Sequence, residues 1–150
     1  LKVDMELKNS VRVVLEMKKD GALSLSLDNN LLTEVSGMDY SIGLGYRIKD
    51  LKFRNSFGGK QSVSKGDLNI KADLSLRDNI TIIRNLDIDD NKVTAGQSIW
   101  SLKFSADYAL SKSFNAVFFY DHLFSEFAIS TAFPQTTIRS GMTLRYNFGE

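Results

Sequence analysis

The stretch from Thr136 to Phe148 constrains the fold of this chain more than any other. Side chains alternate across a β-strand with a period of two, so one face of this stretch is apolar and the other is polar. The apolar set is Ile138, Ser140, Met142, Leu144, Tyr146 and Phe148, and the polar set is Thr137, Arg139, Gly141, Thr143, Arg145 and Asn147. This long alternating run is typical of the closing strand of an outer-membrane β-barrel. The last strand of a soluble β-sandwich alternates in the same way, so that alternative stays open here.

The composition narrows the classes of protein to which the chain can belong. Its 150 residues suffice for one domain, and its formal charge of +1 provides no bulk attraction to nucleic acid. The absence of cysteine excludes disulfides, thiolate zinc sites and cysteine nucleophiles. No run of about eighteen apolar residues is present, which excludes a transmembrane helix but not a β-barrel. Because the alternation already begins at Leu1, we expect a piece of a longer chain or a mature fragment.

Alternating segments recur along the chain and predict about eight strands in an up-and-down order, without helices or an internal domain boundary over residues 1–150. Turns are predicted at 8–10, 19–21, 36–39 and 110–113, with Asp20-Gly21 the strongest hairpin signal. Longer loops are predicted at 54–66, 87–91 and 132–134. The expected fold class is therefore all-β: an antiparallel up-and-down transmembrane β-barrel segment of about eight long strands.

Aromatic residues favour the membrane barrel over the soluble sandwich. Barrels of this kind have an even strand number and both chain ends in the periplasm, which sets the direction of every predicted strand. One rim then carries Tyr46, Tyr108, Phe114, Tyr146 and Phe148, and the other carries Tyr40, Trp100 and Tyr120. Trp100 and Tyr108 lie roughly 26 Å apart along a strand. With a tilt of about 40° they span roughly 20 Å, close to the apolar band of about 25 Å between aromatic girdles. The same directions put the loop 54–66 in the periplasm and 87–91 outside.

Several stretches resemble, in order, the C-terminal end of the SprA/Sov family, the outer-membrane translocons of the type IX secretion system in Bacteroidota. The first are Leu-Ser-Leu-Asp-Asn-Asn-Leu-Leu-Thr-Glu-Val at 25–35 and Ile-Gly-Leu-Gly-Tyr-Arg-Ile-Lys-Asp at 42–50. The others are Asp-Leu-Ser-Leu-Arg-Asp-Asn at 73–79, Val-Thr-Ala-Gly-Gln at 93–97, Ala-Asp-Tyr-Ala-Leu-Ser-Lys at 106–112, Phe-Phe-Tyr-Asp at 118–121 and the closing strand. The resemblance covers most of the chain from about Leu23 onward.

This resemblance implies that the chain supplies the last strands of a much larger single-chain barrel, which conducts folded proteins across the cell outer membrane. Many members of the family also serve gliding motility. The implied partners are the lipid bilayer of the outer membrane, the rest of the same barrel chain, a PorV-type shuttle, a plug protein and the secreted cargo proteins, and the barrel is implied to have a lateral gate. No nucleic acid partner is expected.

Three motifs resemble parts of known binding or catalytic sites. Asp87-x-Asp89-x-Asn91 imitates the start of a calcium loop, but Lys92 and Ser98 stand where such a loop needs Gly and Glu. Gly43-x-Gly45 lacks the third glycine and the helix of a dinucleotide fingerprint, and we expect its glycines to make room on the polar face of a strand. His122 is the sole histidine, so a metal site made of several histidines has no second member, and we expect His122 at a rim beside Asp121.

The polar face of the predicted strands carries balanced charges. It combines basic and acidic residues: Arg47, Lys71, Arg77, Lys103, Arg139 and Arg145 with Asp73, Asp107 and Asp121. These charges suit a hydrated wall for passing protein, and ordinary charge pairing in a barrel interior explains them equally well. No constellation supports an enzyme, and we expect no catalytic, cofactor-binding or metal site. The hypotheses are a translocon wall, a free-standing small barrel acting as an anchor or binding module, and a soluble β-sandwich.

Overall fold

The structure of the chain, a computed structural model, describes residues 1–7, 10–57, 60–88, 90–110, 113–129, 133–146 and 148, and within them the side chains of all but 53–57 and 60–64. The described residues form one sheet of seven antiparallel strands, each paired with its neighbours in the sequence. The strands are β1 (Lys2–Leu7), β2 (Val11–Ser26), β3 (Leu31–Phe57), β4 (Lys60–Asn85), β5 (Asp90–Ala109), β6 (Phe114–Phe127) and β7 (Gln135–Tyr146).

The predicted all-β, up-and-down architecture is confirmed. The sheet is open, with β1 and β7 at its edges. Within the described ranges the strands number seven, one fewer than the approximate prediction, because two predicted turns lie inside longer strands and one turn that was not predicted, at 27–30, separates β2 from β3. The closing strand is placed almost as predicted, since β7 ends at Tyr146.

The turns predicted at 19–21 and 36–39 are wrong, because both segments lie in strands and pair with each other. Asp20 is the register partner of Gly37, and Gly21 is the partner of Ser36. A Cβ atom on Gly37 would lie 2.7 Å from the carboxylate of Asp20, so this glycine makes room for the Asp20 side chain rather than for a turn. The alternation of apolar and polar residues continues without a break across this region, since Leu15, Met17, Leu23 and Leu25 are all odd-numbered and lie on one face.

The turn between β2 and β3 is instead formed by residues 27–30, Leu-Asp-Asn-Asn. Asn30 has a φ of 51°, in the left-handed region that asparagine tolerates better than most residues. Its side-chain amide donates a hydrogen bond to Asp87 Oδ1 at 2.9 Å, and its carbonyl accepts one from Leu86 N–H at 3.0 Å. The turns 27–30 and 86–88 therefore lie side by side at one end of the sheet.

The long loop predicted at 54–66 is also wrong. β3 and β4 stay paired from Leu51 with Gly66 out to Phe57 with Lys60, and residues 58–59 between them lie outside the described part. Glycine and serine favour loops, but here the two segments pair in a hairpin that extends beyond both neighbouring strands. The last pairs of the neighbours are Val11 with Tyr46 and Leu68 with Tyr108. We call Leu51–Gly66 the projecting hairpin.

A β-bulge separates the projecting hairpin from the rest of the sheet. Lys49 and Asp50 together oppose Asp67, and Asp50 has a φ of 54°. Asp67 Oδ2 accepts from Arg47 Nη2 at 2.6 Å, and its Oδ1 accepts from the Asp50 N–H at 3.2 Å. The hydrogen bond from Arg47, and to a smaller extent the one from the Asp50 N–H, holds the pKa of the Asp67 carboxyl below its usual value. The bulge is thus held by specific contacts.

The other predicted turns are partly described. Ser10 forms a turn with a φ of 60°, while residues 8–9 lie outside the described part. Residues 86–88 form a turn where the acidic loop was predicted, but β5 begins at Asp90, and position 89 is not described. Phe133 and Pro134 lie between strands as predicted, whereas 111–112 and 130–132 lie outside the described residues.

The described residues contain no buried apolar side chain. One layer of sheet covers neither of its own faces, so large apolar residues are exposed throughout, including Met142 at 66% and Trp100 at 52%. A domain normally buries such a face against a second layer. The free energy that usually comes from burying apolar area must therefore come from whatever covers this sheet.

We predict that Gly66→Ala destabilises the bulge region. A Cβ atom there would lie 1.7 Å from the Ala109 carbonyl oxygen, a backbone atom that cannot rotate away. We expect a cost of about 1–3 kcal/mol in the free energy of unfolding, typical of overpacking. Gly21→Ala is the control, because its Cβ would meet only the Val35 oxygen at 3.4 Å. Denaturant midpoints measure both, and equal midpoints would contradict the steric account.

Candidate functional site

The register divides the sheet into two chemically different faces. The apolar face holds the odd-numbered residues of β1 and β2 and, before the β3 bulge, the even-numbered residues of the later strands, except that a register shift between Thr81 and Ile82 puts odd-numbered Val93 of β5 opposite Ile82 on this face. The polar face holds their chain neighbours. Every residue expected on the polar face is found there: Arg47, Lys71, Asp73, Arg77, Lys103, Asp107, Asp121, Arg139 and Arg145.

The centre of the polar face carries a row of alternating charges across four strands. The register pairs Asp73 with Lys103, Lys103 with Asp121, and Asp121 with Arg139. Arg139 Nη2 lies 3.0 Å from Asp121 Oδ2. Opposite charges directly across a ladder stabilise a sheet modestly, and partly exposed pairs contribute little each. This charge row therefore makes the polar face wettable without giving it a strong net charge.

A shallow groove of about 420 Å³ continues the charge row toward β1 and β2. Gly43 lies at its floor as the register partner of both Val14 and Asp73. A Cβ atom on Gly43 would lie 2.8 Å from Asp73 Oδ1, while one on Gly45 would meet nothing nearer than the Arg12 Cβ at 3.7 Å. The glycines thus make room on the polar face of a strand, as the sequence predicts, and the Asp73 carboxylate occupies part of that room.

Ion pairs near the β1 edge leave the polar face there charged but internally matched. Arg12 binds both carboxylate oxygens of Asp4, at 2.9 and 2.5 Å. Lys18 lies 3.0 Å from Glu16 on the same strand. Because these charges compensate each other, the face attracts neither highly acidic nor highly basic partners, which suits contact with proteins of varied sequence.

Phe119 is an exception on the polar face. Its ring lies over Gly141 of the edge strand, where a Cβ atom would meet the ring at 2.8 Å. An aromatic side chain that covers a cross-strand glycine protects a weak position in a sheet. The adjacent bulk of Phe118, Phe119 and Tyr120, which defied a simple alternation, is therefore explained: Phe119 packs on one face, and its two neighbours lie on the other.

The apolar face forms a band bounded by aromatic residues. One boundary is the Trp100 row, a line of register partners formed by Met17, Tyr40, Leu76, Trp100 and Phe124. The other is the Tyr108 row, formed by Ile48, Leu68, Tyr108, Ala116 and Leu144. Between these rows the described face carries no Asp, Glu, Lys or Arg. One step outside the Trp100 row it becomes polar, with Lys19, Met38, Asp78, Ser98 and Glu126.

The predicted aromatic rims are largely reproduced by the register. Tyr40 and Trp100 share a row, and Phe114 pairs with Tyr146 one step beyond the Tyr108 row. The rings of Tyr146 and Phe148 are 4.7 Å apart. The placement of Tyr120 at the first rim is wrong: it pairs with Phe104 and Ser140 in the middle of the band. Phe124 takes the position beside Trp100, because β6 continues past Tyr120 to Phe127.

His122 does not lie beside the Asp121 side chain, because consecutive residues of a strand point to opposite faces. It lies on the apolar face between Leu102 and Ile138, one step inside the Trp100 row. Its ring is 6.4 Å from that of Tyr120, edge to face. A groove of about 510 Å³ there is bordered by Trp100, Leu102, His122, Phe124 and Ile138. His122 is thus the one titratable group other than tyrosine among the described residues of the band.

The calcium-like motif is only partly described, because Asp89 lies outside the described residues. Asp87 Oδ1 accepts from Asn30, and Asn91 Oδ1 accepts from Arg84 Nη1 at 3.4 Å. In the described ranges no three His, Cys, Asp or Glu side chains come together to hold a metal ion. The charge row, by contrast, was not predicted from the sequence. The odd or even position of a charged residue tells on which face of the sheet it lies, but not which residue it meets on the next strand.

We predict that Asp121→Lys destabilises the sheet more than Asp107→Lys. The first substitution replaces two favourable cross-strand pairs by repulsion from Lys103 and Arg139. Asp107 is the matched control, since its register partners are the uncharged Asn69 and Val117. The expected difference is about 1–2 kcal/mol in the free energy of unfolding, measured by denaturation. Equal costs would mean that solvent screens the row completely.

No helix in the described part of the chain is long and apolar enough to cross a membrane. No family model and no curated protein matches this chain. A function must therefore be proposed from the two faces of the sheet, its open edges and the resemblance of the sequence stretches described above.

Proposed function

We propose that this sheet is part of the wall of a protein-conducting β-barrel in the outer membrane, a translocon of the type IX secretion kind. The apolar face contacts lipid, and the polar face lines the water-filled interior. The observation that carries the proposal is the apolar band, a charge-free region that crosses all the described strands and is left uncovered by the sheet itself.

The limits of the band favour lipid over a second protein layer. From Trp100 to Tyr108 the strand covers roughly 26 Å, and with a tilt of about 40° this spans roughly 20 Å. That height is close to the apolar band of about 25 Å found between the aromatic girdles of outer-membrane barrels. A sandwich partner needs no aromatic rows at two fixed heights, nor charged residues such as Asp78 one step outside one of them.

The two edges favour a larger barrel over a small one made of these strands alone. In an up-and-down sheet of seven described strands, β1 and β7 run in the same direction. Direct closure would pair them parallel, whereas bacterial barrels are antiparallel throughout. Unpaired backbone groups in hydrocarbon cost several kcal/mol each, so further strands must pair with both edges. The rest of the same barrel chain is the proposed source of those strands.

The polar face supports conduction of protein rather than of a small solute. Its charges alternate and largely cancel, and its glycines keep part of the surface shallow. Together with the resemblance to SprA/Sov, this points to folded cargo proteins as the transported substrate, with a PorV-type shuttle and a plug protein as further partners. The chain acts as structure and performs no reaction in this proposal.

We expect Leu102→Arg to block membrane assembly, whereas Ser101→Arg is tolerated. The two residues are adjacent in β5 but lie on opposite faces, so they form a matched pair. Arginine facing acyl chains near the bilayer midplane costs about 2–4 kcal/mol, and a residue facing the lumen is largely exempt from that cost. Unfolding of the intact protein in phospholipid bilayers measures the difference. A larger cost for Ser101→Arg would mean that the lipid-facing and lumen-facing sides are assigned the wrong way round. Equal costs would favour the soluble sandwich.

Conduction is tested in cells. We expect that depleting the intact protein causes secreted cargo to accumulate in the periplasm, and that the Ser101→Arg variant restores export while the Leu102→Arg variant does not. Immunoblots of periplasmic and external fractions measure this. Normal export after depletion would contradict the translocon proposal. The second candidate function, a free-standing barrel used as an anchor or binding module, would then remain, and the open groove beside Gly43 is the observation that supports it.

A further inference from the structure

His122 interrupts an otherwise aliphatic row on the apolar face. The register places it one step inside the Trp100 row, on a line that crosses all seven described strands. The other members of that line are Val3, Leu15, Ile42, Leu74, Leu102 and Ile138. A polar ring in a row of aliphatic side chains needs a reason of its own.

The imidazole of His122 has no polar partner in the described part of the protein. Its side chain makes no hydrogen bond or ion pair there, and its ring contact is the edge-to-face one with Tyr120. In either protonation state an imidazole carries at least one N–H donor. A donor that is placed against hydrocarbon without an acceptor costs free energy. Whatever covers this part of the apolar face must therefore supply an acceptor.

The groove of about 510 Å³ beside His122 is bordered mostly by apolar side chains. Leu102 and Ile138 flank the histidine on the neighbouring strands, and Trp100 and Phe124 lie one step further along toward the Trp100 end of the band. These side chains are partly or fully exposed, so the groove is open to whatever contacts the apolar face. An apolar groove with one polar group fits a molecule that is apolar along its length and carries an acceptor at one end.

In the membrane proposed above, the register places His122 at the depth of the lipid ester groups. Two residues along a strand cover roughly 6.6 Å, so with a tilt of about 40° His122 lies roughly 5 Å inward from the Trp100 row. Tryptophan rings sit at headgroup level, and the interfacial region on each side of the hydrocarbon core is roughly 5–7 Å thick. The ester carbonyls of a lipid lie between its headgroup and its chains, and each of them accepts hydrogen bonds.

We propose that His122 and this groove form a binding site for one ester-linked lipid of the leaflet at the Trp100 end of the barrel. An acyl chain lies in the groove, and the His122 N–H donates a hydrogen bond to the ester carbonyl at the head of that chain. The inference rests on the proposed membrane function and adds a specific lipid contact to it. The lipid phosphate is the less favoured acceptor, because it lies further out, at the level of Trp100.

The test uses the intact protein in nanodiscs made from equal amounts of two phosphatidylcholines that differ in one respect. One has ester-linked chains, and the other has ether-linked chains of the same length, which lack the carbonyl. Native mass spectrometry counts the molecules of each lipid that stay bound on release. We expect a preference of roughly fivefold for the ester-linked lipid, the effect of one hydrogen bond of ordinary strength. His122→Phe keeps a ring but has no N–H, and it should abolish the preference.

Three further variants separate the hydrogen bond from the groove. His122→Gln keeps an N–H donor and should retain part of the preference. Ile138→Trp fills the groove while His122 stays in place, and it should abolish the preference. Tyr120→Phe is the matched control, because it removes the neighbouring hydroxyl on the same face but leaves the groove and the histidine unchanged, and it should keep the preference. An unchanged preference in Ile138→Trp would mean that the chain does not lie in the groove and would overturn that part of the site.

The outcomes distinguish this inference from the function on which it rests. If the protein enters nanodiscs but shows no preference, or keeps it in His122→Phe, the lipid site is refuted and the membrane proposal stands. If His122→Phe lowers the retention of both lipids equally, the acceptor is the phosphate, and the proposed ester contact is refuted. If the protein does not enter nanodiscs at all, the membrane proposal fails and the lipid site fails with it.

Discussion

The structure depends on the pairing of backbone groups between neighbouring strands, because the described residues include no buried apolar side chain. A globular domain derives most of its favourable folding free energy from an apolar core. Here no described apolar side chain is buried, and every strand has only its neighbours in the sheet. The ladder therefore fixes the geometry, while the environment supplies the free energy. A lipid bilayer does so without a second protein layer, and it also penalises every break in the ladder.

Much of this architecture was available from the sequence, because strand parity is a local property. The apolar and polar sets of β7, and all the charges assigned to the polar face, follow from a period of two alone. Parity does not give register, however. The alternation of Asp73, Lys103, Asp121 and Arg139 along one row depends on how four strands are offset, and a period of two does not specify these offsets.

The errors share one physical cause: residues with strong turn propensity were used inside strands. Asp20-Gly21 has the composition of a tight hairpin, yet Gly37 opposite accommodates the Asp20 side chain and the strand continues. The true turn contains Asn30, whose left-handed backbone and bond to Asp87 replace the expected glycine. Likewise, glycine and serine favour loops, but those within 54–57 and 60–66 lie in paired strands. Tertiary pairing outweighed local propensity in each case.

At both ends of the sheet, some strands continue beyond the point where their neighbours end. β6 pairs with β5 only from Gln97 to Ala109, and beyond it the Ala128 N–H still donates to the Gly96 carbonyl. At the other end, β3 and β4 continue without neighbours past Tyr46 and Leu68. Strand edges without neighbours thus begin within a few residues of the Trp100 and Tyr108 rows. An unpaired peptide group needs water, so in the membrane proposed above the hydration of the backbone and the two side-chain rows would put the bilayer surfaces at the same levels.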